Sequence, residues 1–322
     1  VSNPQIRFYG GGRAEMREGI VIEAYPVFGK GTFRAYPELF EPYLRNQPAH
    51  IREKYRKARR TLPKFEGSIK WQTIRGTGFC ASIHPGSAKV FHALMTGAAH
   101  PIYVSDCLYI NLRHRIFALS DPPGMTTLSR SLLEALDRYL KADPRADLEA
   151  IINRVNREAG EGLRDRATLS LLHLPPDDPN TARLVLAGDS YLWHGSGETG
   201  ELRLAQAVPN RWGTPNMELY INSVPLKEGD FFLLATDGVI ALRYRFPDEG
   251  LEEALARRVR TDGPAFAERL ARECNDVLIE LTPEGRQARF AGGDDLAVVL
   301  VHPRSLPGPE IGETYILGGY VI

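Results

Sequence analysis

The stretch VPLKEGDFFLLATDGVIAL, Val224 to Leu242, holds five consecutive apolar residues, Phe231 to Ala235, that stop abruptly at Thr236-Asp237-Gly238. An apolar run of that length between turn residues reads as a buried strand, since a helix needs roughly ten residues or more. Its tip sets a carboxylate at the rim of a hydrophobic core. Asp-Gly is a favoured hairpin corner because both residues tolerate positive φ. A strand end is also a rigid place from which to offer an acid to a hard cation. Taken by itself the turn is the simpler account, and the other strands decide.

Residues 1–75 read as an N-terminal extension, irregular apart from a basic helix across IREKYRKARR, Ile51 to Arg60, which lacks Gly and Pro. Its charges form a solvated face or a dock for an acidic partner. From Gly76 the pattern becomes regular. HRIFALS is a strand stopping at DPPG, and TLSRSLLEALDRYLKA and ADLEAIINRVNREA are helices, the first with Leu128, Leu132, Leu133, Leu136 and Leu140 on one stripe. ATLSLLHL, ARLVLAG, SYLWHG, ELYINS and DFFLLAT are strands. LEEALARRV and AFAERLARECNDVLIEL are helices, the second striped by Phe266, Leu270, Cys274, Val277, Leu278 and Leu281, and LAVVLV is a last strand. Strands grouped in blocks between helix pairs predict an α+β layered domain over 76–303, with 304–322 as a Gly- and Pro-rich tail.

Composition narrows the function classes. With 43% hydrophobic and 25% charged residues the chain can bury a core without metals or disulfides. Forty basic residues balance forty acidic ones, which argues against nucleic acid or an anionic membrane surface as a partner. Cys80, Cys107 and Cys274 form no CxxC pair, and no apolar run is long enough to span a bilayer. A reducing, cytoplasmic location is expected. No signal-peptide pattern opens the chain, although the numbering starts without Met and leaves an upstream segment open.

Four strands begin or end at an acid beside Gly or Pro: Asp121, Asp189, Asp237 and Asp294. Asp121 would cap the following helix, Asp189 would make an Asx turn, and Asp294 or Asp295 would be a loop acid. Jointly they say more. Two carboxylates ~4 Å apart repel by about 4 kcal/mol at an effective dielectric near 20, so a convergent cluster needs protons or cations. An all-oxygen donor set favours Mg²⁺ or Mn²⁺ over zinc, and the eight His offer no HExxH or Cys/His rival.

FALSDPPG, RATLSLLHL, LVLAGDSYLW, VPLKEGDFFLLATDGV and GGDDLAVVLV occur in the order and spacing of the PPM family. Over roughly Gly76 to His302 the chain resembles these metal-dependent protein serine/threonine phosphatases of type 2C. The resemblance implies an α-β-β-α sandwich of two mainly antiparallel sheets flanked by helices, with metals at one edge. It implies that Asp121 bridges two Mn²⁺ or Mg²⁺ ions, with Asp237 and Asp294 on one of them and the Pro122 carbonyl facing the metal. The implied activity is hydrolysis of phosphoserine or phosphothreonine in a phosphorylated protein substrate by a metal-bridging water, two cations about 3.5–4 Å apart activating it. By the same resemblance Asp106 orders a metal-bound water or is a strand-edge acid, Asp189 supports the metal ligands from behind or is structural, and Asp165 serves a third ion or is a loop acid.

The chain departs from the family pattern in two places. Ser105 stands where a carboxylate helps hold the second ion, and Asp121-Pro122-Pro123-Gly124 replaces Asp-Gly-x-Gly-Gly, fixing φ at Pro122 and pushing Asp121 towards extended geometry. Neither the His that some members use as general acid nor a phosphate-binding Arg is assigned. An inactive, partner-binding module on the same fold is therefore the alternative, and a nuclease is disfavoured by the balanced charge. FGKGTF lacks the leading Gly and the spacing of a P-loop. IHPGSAK reads as a strand turn at Pro85-Gly86, or it places Lys89 or His84 near the site.

Overall fold

The architecture was read from a computed structural model. It describes residues 13–17, 19–26, 45, 48–58, 70–90, 103–124, 126–144, 146–162, 166–205, 220–283, 285–290, 293–308 and 313–321. The FGKGTF stretch and Asp165 lie outside these described residues.

Strands β1 (Arg13–Arg17) and β2 (Ile20–Pro26) are followed by helix α1 (Ala49–Ala58), then β3 (Lys70–Gly76), β4 (Phe79–His84), β5 (Tyr103–Asn111) and β6 (Ile116–Ser120). Helices α2 (Leu128–Ala142) and α3 (Leu148–Gly162) come next. After them run β7 (Leu169–His173), β8 (Thr181–Ala187), β9 (Tyr191–Gly195), β10 (Leu202–Leu204), β11 (Tyr220–Pro225) and β12 (Phe231–Ala235). A 3₁₀ turn, Asp237–Ile240, leads to α4 (Ala241–Arg245), α5 (Leu251–Asp262) and α6 (Phe266–Asn275). The described chain closes with β13 (Val277–Thr282), β14 (Gly285–Phe290), β15 (Leu296–Val301) and β16 (Thr314–Val321).

The expected α+β sandwich is present. Among the described residues one sheet has eight strands in the order β1-β2-β3-β4-β15-β12-β9-β10, the other has six in the order β11-β8-β7-β6-β5-β16, and every pairing is antiparallel. Segments on both sides of residues 76–303 supply strands: β1 to β3 extend the large sheet and β16 closes the small one against β5.

Side-chain alternation explains why the central strands are apolar throughout. In β12, Phe232 and Leu234 enter the core between the sheets, while Phe231, Leu233 and Ala235 face the layer of α4, α5 and α6. In β6, Phe117 and Leu119 point between the sheets, and Ile116 and Ala118 meet Leu132, Leu133 and Leu136 of α2. Each sheet is thus covered on both faces, and a period-two strand carries no polar side there. Burying each such Leu or Phe contributes on the order of 1.5–3 kcal/mol.

One expected helix is shorter than its apolar stripe predicts. The segment AFAERLARECNDVLIEL is helical only to Asn275; Asp276 turns extended at φ −62° and ψ 142°, and Val277–Thr282 pairs with Gly285–Phe290 as a separate hairpin. The stripe at Val277, Leu278 and Leu281 fits either element, but the Pro and Gly at Pro283 and Gly285 are turn formers and Val-Leu-Ile-Glu-Leu-Thr carries β-branched residues that suit a strand. This hairpin leaves the sandwich at Asn275 and returns just ahead of Asp294. Among the described residues no helix is long and apolar enough to cross a membrane.

Candidate active site

Ser120 ends β6 with its hydroxyl 2.9 Å from Ser129 Oγ of α2, and the chain leaves the sheet at Asp121. Both backbone polar groups of Asp121 are held by Thr168. The Asp121 N–H donates to Thr168 Oγ1 at 2.9 Å, and the Thr168 N–H donates to the Asp121 carbonyl at 2.8 Å. Ser190 Oγ lies 2.6 Å from the same Thr168 hydroxyl. The turn of LVLAGDS therefore braces the tip of FALSD.

Thr236, the residue between β12 and Asp237, ties three strands together. Its N–H donates to the Ala297 carbonyl at 3.0 Å, its hydroxyl accepts from the Ala297 N–H at 2.9 Å, and that hydroxyl donates to Asp106 Oδ2 of β5 at 2.6 Å. Asp237 then opens the 3₁₀ turn. Gly238 packs so closely on the Asp295 backbone that a Cβ there would sit 2.2 Å from its carbonyl oxygen. This contact, rather than a hairpin corner, is what the Gly of Asp-Gly serves.

The two acids of Gly-Asp-Asp differ sharply. Asp294 is exposed and accepts the Asp295 N–H at 2.9 Å. Asp295 is fully buried, at 0% exposure. Its Oδ1 accepts the Gly86 N–H at 2.9 Å, and its Oδ2 accepts the Ser105 N–H and the Lys89 ammonium, both at 2.7 Å. Gly86 allows this approach, since a Cβ there would lie 2.7 Å from the Asp294 carbonyl. Ser105 can give its N–H away because the β5–β16 register shifts between Gly318 and Tyr320, across from it.

Electrostatics shows that the acids act on one another. Burial first, then the charges of Asp237 and Asp294, push the Asp121 carboxyl from 3.8 up to about 7, against a hydrogen bond with Asp106 that pulls it down. Asp106 is raised well above the ordinary carboxylate range, chiefly by burial and then by Asp121 and Asp295, while the Thr236 hydroxyl opposes the rise. Carboxylates from three strand ends and from within β5 thus share one electrostatic neighbourhood. Among the described residues, no three carboxylate, imidazole or thiolate side chains form a ready-made ion cage.

The profile of the SpoIIE family, Stage II sporulation protein E, matches residues 124–304, more than half of the chain. The chain belongs to the SpoIIE family. Its fold is that of the PPM phosphatases. The PPM Ser-Thr phosphatase MsPP from Mycobacterium smegmatis, solved in complex with cacodylate, superposes with a TM-score of 0.50 at 16% identity, over 69% of this chain and 97% of that one. A bacterial serine phosphatase bearing an R161E mutation gives 0.51 at 11% identity, over 70% and 97%. The catalytic domain of the phosphatase PstP, solved with two manganese ions, gives 0.49 at 16% identity, over 70% and 96%. No curated protein sequence matches the chain.

In this SpoIIE-family chain the structure brings Asp106, Asp121, Asp237 and Asp294 into mutual influence, and Asp189, exposed, adds to the field at Asp121. Pro122 is buried beside Asp121. Of the alternatives left open at IHPGSAK, Lys89 reaches the cluster. His84 is buried with its Nδ1 2.6 Å from the Pro85 carbonyl, and burial lowers its pKa to about 4. Sequence reasoning missed Asp295, Thr236 and Thr168 as site-builders. Asp295 was visible as the second acid of Gly-Asp-Asp; the two threonines carried no distinguishing signal.

Proposed function

We propose that the chain hydrolyses phosphoserine or phosphothreonine phosphomonoesters with the help of a divalent cation held by Asp121, Asp237 and Asp294. The observation that carries this is the convergence of acids from both sheets at one end of the sandwich: Thr236, next to Asp237, bonds Asp106, and Gly238 packs on the backbone of Asp295, next to Asp294. Such a site, with Asp121 raised by its acidic neighbours, gains when a dication replaces the proton. The donor set is all oxygen, which fits Mn²⁺ or Mg²⁺. A bound dication would supply Lewis-acid and water-activating chemistry.

The chain's own residues would then do the rest. Thr168 and Ser190 hold the Asp121 backbone in place, and Thr236 fixes Asp106 and the start of the Asp237 turn. Asp106, buried and bonded to the Thr236 hydroxyl, lies beside Asp121 and helps set its position. The test is turnover of p-nitrophenyl phosphate and phosphoserine peptides with millimolar Mn²⁺. We expect activity that Asp237→Asn lowers by about 100-fold or more. Absence of turnover, or an unaffected variant, removes the hydrolase reading.

A second reading, a phosphatase fold kept for partner binding, is favoured by Ser105 and by the ammonium beside it. It predicts no turnover under the same conditions.

A further inference from the structure

We infer that Lys89 is a built-in counter-ion that stands in for one of two dications, so that the acid cluster takes a single divalent ion. The inference rests on the cation-assisted reading of the cluster. It concerns how many ions that cluster accepts and which side chain limits the number.

Three observations converge. First, Asp295 is more deeply buried than any other acid of the cluster and would be costly to ionise without partners. The Lys89 ammonium, 2.7 Å from its Oδ2 and with a side chain only 17% exposed, meets that need from within the chain.

Second, the same ammonium lies 3.4 Å from Ser105 Oγ. Ser105 is the position where the resemblance calls for a carboxylate that helps hold a second ion. The chain lacks that negative charge and has a positive one beside it. A metal ion placed there would meet a fixed like charge and lack its ligand.

Third, Lys89 is placed by structure rather than left to wander. It sits on a helical turn that begins at Ser87. The Ser87 N–H donates to Asn275 Oδ1 at 3.2 Å, and the Ser87 hydroxyl donates to the Asn275 carbonyl at the end of α6. Gly86, just before, donates its N–H to Asp295 itself. The turn and the carboxylate are thus docked to each other twice, through backbone and through ammonium.

The experiment is calorimetric titration of the full chain with Mn²⁺, for the wild type, Lys89→Arg and Lys89→Met, with thermal melts in chelator and in Mn²⁺. We expect one ion per chain for the wild type and Lys89→Arg, and two for Lys89→Met. We also expect Lys89→Met to melt below the wild type in chelator and to regain most of that difference in Mn²⁺. Two ions on the wild type overturn the assignment, whatever the variants do, and so does a Lys89→Met protein that folds but binds no more Mn²⁺ than the wild type. A wild type that binds none removes the cation-assisted reading instead; the counter-ion role then stands if Lys89→Met gains a site and falls if it does not.

Discussion

The two ends of the acid cluster solve the same problem in opposite ways. Asp295 is wholly buried, yet it accepts two backbone N–H bonds and an ammonium. Asp121 is only half-buried, yet the side chains that act on it most strongly are other carboxylates, and its proton affinity climbs. The difference lies in the company each acid keeps: the fold supplies Asp295 with an ammonium and two N–H donors and leaves Asp121, besides its burial, facing other carboxylates, so the Asp121 end is the one that gains from a cation out of solution.

The widest separation should come from removing Asp237, whose expected loss of turnover is stated above. At the other end, Asp295→Ala leaves turnover aside and attacks the scaffold: it strands the Lys89 ammonium and two N–H donors. The loss expected on breaking such a pair is about 3–5 kcal/mol, read as a fall in the urea midpoint. Equal, small effects of both changes would abolish the contrast.

A pH series sharpens it. The folded-state pKa of Asp121, about 7, lies above its ordinary 3.8, so the folded chain binds the proton more tightly than the unfolded one. That stabilisation is complete below about pH 3.8 and is lost as pH rises through 7, by at most about 4 kcal/mol. Chelator-treated protein should show the decline in urea melts, and Asp121→Asn should lessen it, the raised Asp106 still contributing. The side chains that act most strongly on Asp121 are Asp237, Asp294, Asp106 and Asp189, all acids.

The smallest effect belongs to the braces. Thr168→Val removes the hydroxyl that accepts the Asp121 N–H and pairs with Ser190, and should cost about 1–3 kcal/mol, since it leaves buried partners unmet. Turnover should fall with it, through Asp121 placement, while Mn²⁺ stoichiometry stays unchanged.

Much of this was legible in the chain itself. The apolar runs at Phe231–Ala235 and Leu296–Val301 gave away strands buried on both faces, and their acid tips marked one end of the sandwich. The hairpin after Asn275 was not legible, because Val277, Leu278 and Leu281 satisfy both periods and only pairing chooses between them. Lys89 was harder still. Its partner Asp295 lies 206 residues away, and nothing in HPGSAK distinguishes an inward lysine from a surface one.

The closing strand β16 pairs with β5, opposite the residues that carry Ser105 and Asp106, and Asp295 reaches back across 190 residues to the Ser105 N–H. On the ribosome, then, the first acids of the site emerge long before the groups that complete it. Such long-range pairings are the slow ones to form. Any phosphatase activity would stay off during synthesis and switch on only once the late strands have docked.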